Sequence, residues 1–172
     1  MQTAPIPIGN RCELLWDEYL VDSTQTTATL RLHQPEPKEV VFTHGDAWEG
    51  DMCDYHCILK DSDLYRMYYL ACRTGGSAPV IAYAESTDGL LWVKPQLGLC
   101  EFEGTKANNI ILDKNTNVFD NFSVFRDSNP NCQPDELYKG VGLDGSDHFL
   151  WCFTSADGIR FKKAWRMTNR GK

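Results

Sequence analysis

Three short patterns occur twice along this chain, in the same order, and their spacing constrains the fold more than any other feature. Glu85-Ser86-Thr87-Asp88-Gly89-Leu90-Leu91-Trp92-Val93-Lys94 is matched 69 residues on (88 to 157) by Thr154-Ser155-Ala156-Asp157-Gly158-Ile159-Arg160-Phe161-Lys162-Lys163. Leu64-Tyr65-Arg66 is matched 73 residues on (64 to 137) by Leu137-Tyr138-Lys139, and residues 54–61 (DYHCILKD) are matched 66 residues on (54 to 120) by residues 120–127 (DNFSVFRD). Self-similarity at a nearly fixed period marks a repeat architecture. The local periodicity within each copy is of the strand type: short aromatic or β-branched runs such as residues 65–70 and 80–84, cut by Gly-Gly and Asp-Gly turns.

Each repeat thus predicts four strands. The first carries an Asp near its start, the second opens with Leu-Tyr and a basic residue, the third runs into Ser-x-Asp-Gly, and the fourth holds the aromatic. Four antiparallel strands repeating every ~65–75 residues read as a propeller blade, whose two apolar faces both need neighbours. The expected architecture is all-β: a single partial β-propeller domain over residues 1–172, about two and a half four-stranded blades of a five-bladed ring. Residues 1–47 supply N-terminal strands at 14–21 and 40–43, residues 48–98 one blade and residues 118–165 the next. Closed propellers have about four to eight blades, and open sheet edges invite pairing. The chain is therefore expected to be a truncated piece or to close its ring as a homodimer.

Composition limits the partners. Apolar residues make up 42% and charged residues 24%, which excludes a disordered or fibrous chain. Acidic residues outnumber basic ones 24 to 17, for a net charge of −7. That balance argues against nucleic acid and against an anionic membrane surface, and no run approaches the ~18 apolar residues of a membrane-spanning helix. Seven cysteines and no visible secretory signal predict reduced thiols in a cytoplasmic protein. Strand alternation would place Cys53, Tyr55 and Cys57 on one side and Asp54, His56 and Ile58 on the other, so no metal site is expected from Cys53, His56 and Cys57, and no cofactor.

Residues 44–56 (HGDAWEGDMCDYH) are the densest chemistry in the chain. Sugar recognition uses carboxylates to accept from hydroxyl pairs and an aromatic plate against the apolar face of the ring. Trp48, Glu49 and Asp51 are candidates for this, and His56 for a hydrogen bond to a ligand or to Asp54. Trp92 and Phe161, being repeat mates, read as packing residues.

Leu15-Trp16-Asp17-Glu18-Tyr19-Leu20-Val21-Asp22-Ser23, Trp48-Glu49-Gly50, Tyr65-Arg66-Met67-Tyr68-Tyr69, the stretch 82–92 and Asn108-Asn109-Ile110 together resemble the five-bladed propeller glycoside hydrolases, in particular bacterial relatives of the arabinanases and β-fructosidases of families 43 and 32. The resemblance covers the N-terminal half of such a propeller. It implies hydrolysis of an oligosaccharide or polysaccharide by three carboxylates at the mouth of a central funnel: two Asp at innermost strand starts, here Asp54 (base or nucleophile) and Asp120 (orienting carboxylate), and a later proton-donor Glu. No Glu follows Glu136, which sits in a Pro-Asp-Glu turn. Glycoside cleavage needs one carboxyl to protonate the leaving oxygen. The expectation is therefore a glycosidase-like propeller lacking its proton donor or, alternatively, a non-catalytic carbohydrate-binding or assembly module completed by oligomerisation.

Overall fold

The computed structural model describes residues 4–76, 78–116 and 118–167. The chain divides into two compact units, residues 1–38 and 39–172. In the first, residues 4–38 contain no strand or helix. Local turns hold them: the Asp22 carboxylate accepts from the backbone and hydroxyl of Thr24, and Val21 N donates to the Glu18 carbonyl. The strand expected over 14–21 does not form. Its β-prone residues are exposed (Trp16 is 83% accessible) with no adjacent backbone to pair with, and strand propensity is realised only on a packed, paired surface. The strand expected over 40–43 is also irregular chain.

The second unit is all-β. Strands β1 (Met52–Asp61), β2 (Leu64–Cys72), β3 (Val80–Ser86) and β4 (Ile110–Leu112) form one antiparallel sheet in that order. β5 (Val118–Arg126), β6 (Tyr138–Asp144), β7 (Leu150–Ser155) and β8 (Lys162–Arg166) form a second. The described helical residues are two short 3-10 turns, Lys114–Thr116 and Pro134–Glu136.

The pairing register reproduces the sequence repeat. Tyr68 lies between Cys57 and Tyr83, and its mate Val141 lies between Ser123 and Cys152. Leu70 lies between Asp54 and Ile81, and Leu143 between Asp120 and Leu150. Both first strands carry an extra residue at the same place, between Asp54 and Cys57 and between Asp120 and Ser123, with Tyr55 (φ 54°) and Asn121 (φ 52°) in the left-handed region. Such a bulge bends a strand and re-aims the side chains beside it. The Ser-x-Asp-Gly turns are equally alike. Ser86 Oγ accepts from the amides of Asp88 and Gly89, as Ser155 Oγ does from those of Asp157 and Gly158. Both glycines sit at positive φ, a conformation that other residues adopt only with strain.

The fourth strand departs from expectation. Val93 pairs with Glu85, as Lys162 pairs with Thr154. The first copy then leaves the sheet for residues 94–109 before returning as β4, beyond Gly98. Trp92 thus lies outside any strand, although it packs on the sheet as a packing residue should.

The two sheets share a core. Tyr68, Leu70, Ile81 and Tyr83 of the first pack against Phe122, Val124 and Phe153 of the second. Arg66 donates to the Asp157 carbonyl (3.0 Å) and the Tyr68 hydroxyl to that of Gly158 (2.9 Å), so the second sheet's turn is tied to the first sheet's β2. The first sheet's other face (Met67, Tyr69, Ala71, Val80, Ala82, Ala84, Ile110) is covered by Phe42, Trp48, Trp92, Cys100 and Phe102.

Candidate functional site

The loop entering β1 folds around one carboxylate. Glu49 is fully buried and accepts from Gly45 N (2.6 Å), Asp46 N (2.9 Å), the Tyr69 hydroxyl (2.7 Å) and Lys94 Nζ (2.7 Å). Burial alone would raise its proton affinity. The Lys94 ammonium, the Asp46 amide, the Tyr69 hydroxyl and the Gly45 amide outweigh it and hold the carboxyl at about 2. Burial and the donation to Glu49 push the Tyr69 phenol well above its ordinary value. Glu49 is therefore a fixed anion with its oxygens occupied, and it does not present itself to a ligand as the sequence suggested.

Trp48 is held by the same network. Its indole N–H donates to Asn109 Oδ1 (2.8 Å), and Asn109 Nδ2 donates to the Tyr69 oxygen (2.9 Å) and the Tyr83 carbonyl (2.6 Å). The ring packs edge-on to Phe102, half-buried, so it closes the back of the first sheet and offers no free plate for a sugar. Asp51 lies apart from the network. It is exposed and accepts from Thr74 N at 2.7 Å, a bond that lowers its proton affinity and steadies the turn after β2.

Two imidazoles sit at the open side of this network. His44 Nε2 and His56 Nε2 are 3.0 Å apart, His44 Nδ1 lies 3.5 Å from Glu49, and His56 stacks on Tyr69 with ring centroids 5.6 Å apart. Burial, and then the facing His44, lower the His56 proton affinity, while Asp54 opposes the shift. The bulge explains the placement and corrects the simple alternation. Cys53 and His56 belong to the Tyr69 face, whereas Cys57 packs into the core between the sheets and exchanges contacts with the Val124 backbone.

Asp54 is exposed and Asp120 half-buried, each immediately before the left-handed residue of its bulge. β1 and β5 are neighbours: Cys57 meets Val124 and Asp61 meets Arg126, contacts that advance together along both strands. The strands therefore run in the same direction, and Asp54 and Asp120 stand at the same end of adjacent strands. The Asp at the other end of each strand is structural. Asp61 accepts from Arg66 and Tyr138, and its mate Asp127 from Lys139.

The candidates thus separate into an exposed group (Asp54 and His56, joined by His44), Asp120 on the neighbouring strand, and the structural Trp48, Glu49 and Asp51. Sequence reading missed Lys94, Tyr69 and Asn109 as members of the network. Lys94 carried a signal, because it closes the Ser-x-Asp-Gly repeat and its mate Lys163 also pairs with a buried carboxylate, Asp144.

No protein-family model matches the chain. No curated protein matches it. Among solved structures it is similar to an N-acetylgalactosamine deacetylase from F. plautii, in complex with blood group B trisaccharide, at 13% sequence identity and a TM-score of 0.43. The match covers 67% of this chain, which spans 36% of the deacetylase chain. No helix among the described residues is long and apolar enough to cross a membrane.

Proposed function

We propose that the two sheets are blades of a glycoside-hydrolase-like propeller, and that their shared end binds an oligosaccharide through Asp54 and Asp120 with His56 beside them. The observation that carries this reading is the repetition of one device: an Asp followed by a left-handed bulge residue, at the same end of two adjacent strands running in the same direction. Two carboxylates so placed suit paired sugar hydroxyls.

For this set of residues the reading is binding in preference to turnover. Cleavage requires a carboxylic acid kept protonated near neutral pH. Glu49, the carboxyl nearest the histidines, is held ionised, and the other carboxyls displaced from their ordinary values are displaced downward too. Association of two copies belongs to the same proposal.

The test is calorimetric titration with arabino-, xylo- and fructo-oligosaccharides, run beside hydrolysis of their chromogenic counterparts. Saturable binding weakened at least tenfold by both Asp54→Asn and Asp120→Asn, without turnover, is the expected result. Turnover abolished by Asp54→Asn would establish the hydrolase instead. Affinity for none of the three classes, or affinity untouched by either substitution, would sink the proposal.

A further inference from the structure

The face of the first sheet that looks at the second is built from Tyr68, Leu70, Ile81 and Tyr83, which are 0%, 5%, 1% and 0% exposed. Their repeat mates, in the same register, are Val141, Leu143, Leu150 and Cys152. Phe125, opposite Lys139, and Trp165, opposite Cys152, extend that mate surface on the side away from Phe122, Val124 and Phe153. It has the composition of a buried face, yet Phe125 is 49% exposed, Leu150 43%, Trp165 44% and Met167 43%. The polar rim repeats as well. In the first sheet the Asp61–Arg66 pair receives Tyr138 and Arg126 from its neighbour, and in the second Asp127–Lys139 stands in the same place.

We infer that this open face is where a second copy of the chain docks, two-fold related, open face to open face. The occupant follows from the other end of the stack. The first sheet's far face, which head-to-tail stacking would need, is already covered by Phe42, Trp48, Trp92, Cys100 and Phe102. A second copy therefore offers its own open face, which makes the contact isologous and limits it to a pair. With large side chains burying ~150–250 Å² each, Phe125, Leu150, Trp165 and Met167 expose roughly 350 Å² together, already the scale of an apolar patch that marks an interaction site. Counted on both copies, and with half-buried Val141 and Leu143 and the rim, the contact reaches the lower end of the ~1,200–2,000 Å² of stable pairs. The −7 charge on each copy opposes the union, so added salt strengthens it.

The inference rests on the register of the two sheets and is independent of sugar binding. Its test is sedimentation equilibrium of the full chain from about 1 to 300 µM, the span in which contacts of this size associate. A monomer–dimer equilibrium is expected, tightened by salt and shifted to monomer by Leu150→Lys and by Trp165→Glu. Leu91→Lys, at a position 77% exposed outside this face, leaves it unchanged. Far-ultraviolet circular dichroism confirms that the exposed-face variants keep the fold. A monomer throughout, larger assemblies growing without limit, or a dimer indifferent to both open-face substitutions would overturn the inference.

Discussion

Replacing Lys94 by Met tests the central network most directly. Glu49 keeps its amide and phenol donors but loses the only ammonium that touches it. Two independent routes give the magnitude. Removing one partner of a buried ion pair costs about 3–5 kcal/mol. A carboxyl held at about 2 instead of the ordinary 4.5 stabilises the fold by roughly 3 kcal/mol at neutral pH, at 1.36 kcal/mol per unit. The sign follows from the depressed value: this stabilisation is present above pH 4.5 and is lost as pH falls from 4.5 toward 2. Against a typical total of ~5–15 kcal/mol the loss is large. Urea unfolding followed by tryptophan fluorescence at pH 7 and pH 4 should show the variant about 3 kcal/mol less stable at pH 7. The deficit narrows at pH 4, where Glu49 without its cation takes up a proton. Adding Glu49→Gln to Lys94→Met should restore part of the loss, because the amide still bonds Tyr69 while the buried charge is gone. A loss under about 1 kcal/mol with the wild-type pH slope retained would show that the pair is not what holds this loop.

Three further outcomes are expected. Tyr68→Phe removes the hydroxyl bonded to the Gly158 carbonyl inside the inter-sheet core and should cost about 1–3 kcal/mol by the same unfolding assay. Gly140→Ala places a Cβ 2.4 Å from the Phe122 ring and should cost about 1–3 kcal/mol through overpacking, whereas Gly45→Ala, where nothing lies within 4 Å, should be near neutral. In an NMR titration the His56 ring should take up its proton below pH 6.5, and it should titrate higher in His44→Ala, which removes the facing imidazole. Since the folded value is lowered, the contribution of His56 to stability is lost as pH falls through 6.5 toward it.

The repeat was legible because sequence offsets and strand register are the same quantity: Leu64-Tyr65-Arg66 and Leu137-Tyr138-Lys139 open β2 and β6, and the Ser-x-Asp-Gly turns follow β3 and β7. The aspartates opening β1 and β5 were legible for the same reason. Trp48, Glu49 and Asp51 were misread because residue type gives the chemistry a side chain is capable of and says nothing of what already occupies it. Glu49 is saturated by Lys94 and Tyr69, 45 and 20 residues away in sequence.

Local patterning, then, determined strand content, turn positions and the pairing of Asp54 with Asp120, since alternation and turn chemistry act over a few residues. Tertiary structure alone decided that residues 14–21 remain unpaired, that a left-handed residue turns His56 onto Tyr69, and that Glu49 is a buried anion beside Lys94. Each of these depends on which distant backbone or charge comes within a few ångströms, and the linear order of residues does not carry that distance.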